Sequence, residues 1–164
     1  MQAPSRHPKE DERLNVLAQL GLLDTQPEER FDRITKAAAE QLKAPIATIS
    51  LIDRDREWYK SCQGLEAKQG GRDVSFCGHA MLSKNIFIVG DTLKDPRFAD
   101  NPNVIGPPHI RFYAGIALRH KESGLPVGVL CVKDTKPREL SVREIGVLLD
   151  LARQAEQEIN TKPE

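Results

Sequence analysis

Apolar residues in this chain recur at helical spacing towards both ends and in β-branched runs between them. Leu14, Leu17 and Leu20 precede Gly21, the spacing of a short helix that a glycine stops. Thr25 with Glu28 three residues on reads as a capping box, with Pro27 in the first turn. It opens a helix whose apolar stripe is Phe31, Ile34, Ala38 and Leu42. Ile46 to Ile52 is a strand, Asp53 to Arg56 a turn, and Glu57 to Cys62 the antiparallel return of a hairpin. Ile86 to Val89, Phe112 to Leu118 and Val127 to Val132 are further strands, the last two joined through the turn residues Glu122, Ser123 and Gly124. Ser141 and Glu144 make a second capping box, followed by Ile145, Leu148, Leu149, Ala152, Ala155 and Ile159 on a long closing helix. The order helix, helix, hairpin, loop-rich middle, hairpin, helix predicts an α+β fold, an antiparallel sheet with helices packed on it and no βαβ alternation.

Composition narrows the class. The 164 residues, 39% hydrophobic, fit one domain with a single core. Residues 1–12 are polar and read as a flexible N-terminal tail, 13–160 as the domain and 161–164 as a C-terminal tail. Lys plus Arg equals Asp plus Glu at 24 each, with the signs interspersed, so no field favours a nucleic acid. No apolar run approaches the roughly 20 residues that span a bilayer, and the first residues lack the apolar core of a signal peptide. A cytoplasmic protein with no membrane partner is expected. Cys62, Cys77 and Cys131 are an odd number without paired spacing, so reduced thiols are expected.

The middle of the chain carries the chemistry. SFCGHA (Ser75 to Ala80), DTLKDPRFADNP (Asp91 to Pro102) and GPPHIRFYAG (Gly106 to Gly115) set Cys, His, Asp and Arg among glycines and prolines, outside any helical or strand period. Loops of that composition are more often sites than solvated connectors. These three motifs, with GVLCVKDTKPREL (Gly128 to Leu140), resemble the GAF sensory domain, in the branch found in bacterial signalling proteins. The resemblance covers roughly Leu14 to Ile159. It implies a GAF/PAS-like fold, with a central antiparallel sheet of five to six strands and the N- and C-terminal helices on one face. A small-molecule pocket is implied on the other face, under the middle loops, residues 63 to 111. It also implies a sensory module whose output is a separate signalling protein.

Five residues are the expected ligand-binding set: Cys77, His79, Asp95, His109 and Arg111. Cys77 and His79 are one glycine apart, close enough for an imidazole to take the thiol proton if the backbone turns at Gly78. The other reading of SFCGHA is a short helix start with Cys77 packed inward and His79 bonded to a backbone carbonyl. Asp95 before Pro96 reads as an N-cap, and Asp91 with Arg97 as a brace across the loop. Gly106, Pro107 and Pro108 stiffen the approach to His109, a pH reporter, and Arg111, a grip for a carboxylate or phosphate. An anionic or zwitterionic ligand follows from Arg111, with Asn101 to Pro108 as its lid.

Other chemistries fit less well. The sequence has no phosphate-binding glycine loop, GxSxG or HExxH. The signatures that accompany cyclic-nucleotide binding in relatives are missing, and Gly78 separates the Cys-His pair that usually holds a linear tetrapyrrole. No cofactor is assigned, and the spacing of Cys77, His79, His109 and Cys131 fits no common zinc module. An alternative from another class remains, a small thiol enzyme resembling free methionine sulfoxide reductase. In it Cys77 would attack and Cys62 or Cys131 would resolve. A homodimer is expected because Val147, Leu148, Leu149 and Leu151 add apolar surface beyond the stripe of the closing helix.

Overall fold

Six strands pair into one antiparallel sheet: β1 (Ile46–Ile52), β2 (Arg56–Gln63), β3 (Gln69–Gly71), β4 (Phe87–Val89), β5 (Phe112–Arg119) and β6 (Pro126–Asp134), in the order β3-β2-β1-β6-β5-β4. This computed structural model describes residues 1–162, so the last two residues of the expected C-terminal tail lie outside the described residues. The helices are α1 (Glu10–Leu20), α2 (Glu29–Leu42), α3 (Phe76–Ala80), α4 (Pro102–Ile105) and α5 (Val142–Ile159). The expected α+β class holds, and β1 matches the β-branched run residue for residue.

Strand alternation divides the interior into two layers. On one face Ala47, Ile49, Leu51, Phe112, Leu130 and Val132 meet Phe31, Ile34, Ala38 and Leu42 of α2 and Leu148, Ala152, Ala155 and Ile159 of α5. On the other, Ile46, Ile52, Tyr113, Val129 and Cys131 meet Phe76, Met81, Phe98 and Ile110 from the middle loops. Each fully buried large side chain contributes roughly 1.5–3 kcal/mol relative to exposure. The sheet is thus covered on both faces.

Helix ends show where local signals were overruled. Gly21 terminates α1 at φ +67° as its sequence position suggested, and both hydrogen bonds of the Ser141–Glu144 capping box form, each 3.1 Å long. The Thr25–Glu28 box does not form. α2 starts at Glu29 with no side-chain cap, Thr25 Oγ1 accepts from Lys60 Nζ at 2.7 Å, and the Glu28 carboxylate lies 2.8 Å from the same ammonium. The cause is a bulge in β2: Ile49 pairs with Ser61 and Ser50 with Tyr59, leaving Lys60 as the extra residue. Lys60 and Ser61 both turn to the helices, Ser61 donating to Asp32 at 2.6 Å, and a buried ammonium needs the acceptors more than the helix end does.

The N-terminal residues, expected as a flexible tail, make defined contacts with the domain. α1 begins at Glu10, and in the segment before it Gln2 N–H donates to Arg97 O of the middle loops at 3.0 Å while Arg6 pairs with Asp55 of the β1–β2 turn at 3.3 Å. Pro4 rests directly on Gly78. A Cβ at Gly78 would come within 2.7 Å of the Pro4 ring, so the glycine in SFCGHA makes room for this segment.

Candidate functional site

Between the loop-side face of the sheet and the middle loops lies a cavity of about 230 Å³. Its walls are Glu57 and Tyr59 of β2, Gly70 of β3, Phe76, Ile110 and Lys133 of β6. Alternation turns Glu57 and Tyr59 to this face, and β1, lying between β2 and β6, brings Lys133 to the same side. Asn103 and Pro108 also line it, so the segment expected as a lid does border the cavity.

Beneath the cavity runs a buried polar network. The Glu57 carboxylate accepts from Ser50 Oγ at 2.6 Å and from Ser75 Oγ, and Ser50 lies 2.9 Å from Thr48 Oγ1, itself 3.1 Å from Cys131 Sγ. Tyr113 donates its hydroxyl to Cys77 Sγ at 3.0 Å. Burial pushes the Cys77 thiol well up, and its neighbour Cys131 pushes it further. Burial also opposes a charge on Cys131, but the neighbouring Cys77 thiol and the field of Lys133 outweigh it and lower that thiol's pKa. Burial works against the Lys133 ammonium, yet Cys131 and Glu57 raise its pKa above the usual lysine value. Tyr59 is raised by burial and by Glu57.

None of the five residues expected from sequence lines this cavity. Cys77 is fully buried on α3, in the network just described. His79 is half-buried, its Nε2 2.9 Å from Gln2 O and its ring edge-on to Phe98 with centroids 4.9 Å apart. Of the two readings of SFCGHA, the inward cysteine and carbonyl-bonded histidine is the one observed. Asp95 is held by Arg97 through bonds of 3.0 and 2.7 Å, which depress its pKa, so the expected Asp91–Arg97 brace is replaced by Asp95–Arg97. Asp91 instead caps Leu93 N–H. Arg111 donates to Val104 O at 2.7 Å and to Ile110 O, bracing α4, and His109 is exposed at φ +58°.

The structure brings together something else from these motifs. Phe76 stacks on Phe98 with centroids 4.4 Å apart, Tyr113 and Phe87 complete the group, and the Arg97 guanidinium lies 5.0 Å from the Phe87 ring centre. SFCGHA and DPRF therefore build an aromatic roof above the sheet. The residues that sequence reading missed, Glu57, Tyr59 and Lys133, sit in strands. Their signal was available: a sheet covered on both faces should read as apolar throughout, yet Thr48, Ser50, Glu57 and Lys133 are polar and buried on one face.

Comparison with known proteins places this arrangement. The model of the GAF domain family matches residues 26–159. The chain is 43% identical over 162 residues to a cyclic di-GMP phosphodiesterase of Pseudomonas aeruginosa, a match that covers 98% of this chain and 27% of that protein. Among solved structures, the GAF domain of an Acinetobacter phosphoenolpyruvate-protein phosphotransferase superimposes with a TM-score of 0.64 at 17% identity, over 90% of this chain and 92% of that one. The free methionine-R-sulfoxide reductase of Neisseria meningitidis, solved with its substrate, gives 0.63 at 18% identity over 98% of each chain. At such identities the structural likeness concerns the fold alone.

Proposed function

The chain belongs to the GAF domain family, and on that premise we propose that it is a small-molecule-sensing module of bacterial signal transduction, its ligand held in the cavity under the middle loops. One observation carries this reading: the cavity wall is tied to a terminal helix. Gly70, Gly71 and Val74 line the cavity, and Arg72, among them, is buried and pairs with Glu10 of α1 while donating to Asp53 O at 3.0 Å. A ligand that displaces this wall pulls on α1, which is how a change in the cavity would reach a partner. The ligand in this reading is anionic or zwitterionic, the module is a cytoplasmic homodimer, and its output is a separate signalling protein. The Pseudomonas relative suggests cyclic di-GMP turnover as the class of that output. No helix among the described residues is long and apolar enough to cross a membrane.

Native mass spectrometry of freshly purified protein, followed by hydrogen exchange of α1 with the co-purifying molecule present and removed, tests the proposal. Slower exchange in α1 with the molecule bound is expected. Unchanged exchange there, with a ligand in the cavity, would refute transmission through this helix.

The thiol-enzyme alternative has in its favour that Cys77 and Cys131 belong to one buried cluster and shift each other's pKa. Against it, both thiols are fully buried, and the one on α3, expected to attack, is the one pushed up. An attacking thiolate needs access as well as charge. Turnover of methionine sulfoxide with a thioredoxin-type reductant separates the two readings, and none is expected.

A further inference from the structure

Among the described residues, Lys133 is the charged side chain lining the cavity that makes no direct bond. It is 7% exposed and lines the cavity, yet among the described residues its ammonium meets no hydrogen-bond acceptor and no ion-pair partner. Its backbone cannot swing away, because β6 is paired on both sides, residue 133 opposite Ile46 of β1 and Tyr113 of β5. The Lys133 stem is buried while its ammonium opens onto the cavity, so the charge faces the space a ligand would fill, where a methionine would offer none. No direct bond joins Lys133 to Glu57: the Glu57 oxygens are engaged by Ser50 and Ser75, and Glu57 and Cys131 act on the ammonium only through their fields.

We propose that Lys133 is the anchor for the carboxylate of a small organic acid held in this cavity. The inference rests on the reading of the cavity as the ligand site. A monoanion matches the single free cation, whereas a phosphate dianion would leave one charge unmatched and facing Glu57. Size agrees. A cavity of about 230 Å³ has room for a small metabolite. Phe76, Ile110 and Leu65 supply apolar walls for a short carbon chain. A plain acid and an α-amino acid offer Lys133 the same group and differ at Glu57, which would receive the amino acid's ammonium.

The test is a titration of the full chain with four series: straight-chain acids from propionate to hexanoate, the matching L-α-amino acids, the primary amides of the acids, and inorganic phosphate. Calorimetry gives affinities, and amide chemical shifts of Gly70 and Gly71 give the location without any variant. At least one carboxylate is expected to bind and to shift those amides, with the neutral amides at least tenfold weaker. Lys133→Gln should weaken binding at least tenfold and Lys133→Arg should restore part of it, circular dichroism confirming that both variants fold. Gly70→Leu, whose Cβ would stand 3.4 Å from the Tyr59 hydroxyl, should abolish binding by filling the cavity. No binding in either carboxylate series, equal binding of the amides, tighter binding of phosphate, or indifference to Lys133→Gln overturns the proposal. If Gly70→Leu abolishes binding that Lys133→Gln leaves intact, the anchor is wrong and the cavity reading stands; if Gly70→Leu leaves binding intact, the cavity reading falls with it.

Discussion

Glu10 of α1 and Arg72, the residue that follows β3, form an ion pair that joins the first helix to the wall of the cavity. Arg13, fully buried, adds bonds of 2.8 and 2.9 Å to the same carboxylate and reaches Ile52 O at 2.7 Å, so one acid is shared by two buried guanidiniums. Burial alone would raise the Glu10 pKa. The bonds from Arg13 and Arg72 outweigh it and hold the carboxyl far below the carboxylate range.

Glu10→Gln should therefore be among the more damaging substitutions on α1. Removing one partner of a buried charge cluster costs about 3 kcal/mol, which for a domain of this size lowers Tm by roughly 6–12 °C. The sign with pH is fixed. A depressed folded-state pKa adds stability above the unfolded value, near 4.5, and that stability is lost as pH falls through and below it. The gap between wild type and variant, measured by thermal denaturation, should be full at pH 7 and shrink steadily below about pH 4.5. A gap independent of pH would show that the carboxylate charge is not what matters.

The cysteines give a second expectation. Cys77 and Cys131 are fully buried, and Cys62, half-buried, is pushed up by burial. At pH 7 iodoacetamide should modify Cys77 and Cys131 roughly a hundredfold or more slowly than in urea, because reaction waits for the structure to open. Mass spectrometry of timed digests reads this directly. Rapid labelling of Cys77, with protection by methionine sulfoxide, would put the thiol enzyme ahead of the sensing module.

How much of this was legible from sequence depends on whether the cause was local. The α2 stripe of Phe31, Ile34, Ala38 and Leu42 is buried throughout, because helical period and burial are the same fact seen twice. β3 left no trace: Gln69, Gly70 and Gly71 form a strand only because Trp58, Glu57 and Arg56 offer them an edge. Lys60 took the acceptors that Thr25 and Glu28 seemed to reserve for α2, a competition between residues that only the folded sheet brings together. The expected site residues lie away from the cavity for a related reason. Reactive side chains in the middle loops looked like a ligand set, but Asp95, Arg97 and Arg111 are spent holding their own loops. Glu57 and Lys133 become neighbours only through the strand order β2-β1-β6.

The closing helix leaves less apolar surface than its sequence suggested. Leu148 and Leu151 are covered by the domain itself, while Leu149 is 43% and Val142 89% exposed, seven residues apart on one face beside Gly146, which has open space around it. If a second copy covers that stripe, light scattering at micromolar concentrations should give a dimer, and Leu149→Glu should give a folded monomer. A wild-type monomer would end this expectation.

His79 offers the sharpest test of the N-terminal segment. Four influences act on it: burial and the Arg97 charge lower its pKa, while the bond to Gln2 O and the Asp95 charge raise it, and burial is the largest. The net result is a titration below the ordinary histidine value of about 6.5. Because the folded-state pKa is the lower one, the docked arrangement loses stability as pH falls below about 6.5, when protonation favours states that expose the ring. Deleting residues 2–8 removes the Gln2 carbonyl and also uncovers the imidazole, and the larger effect should win. The His79 midpoint, read from its ring protons by NMR, should move up towards 6.5 in the truncated chain. An unchanged midpoint would mean that Gln2 and Pro4 do not rest on α3 in solution.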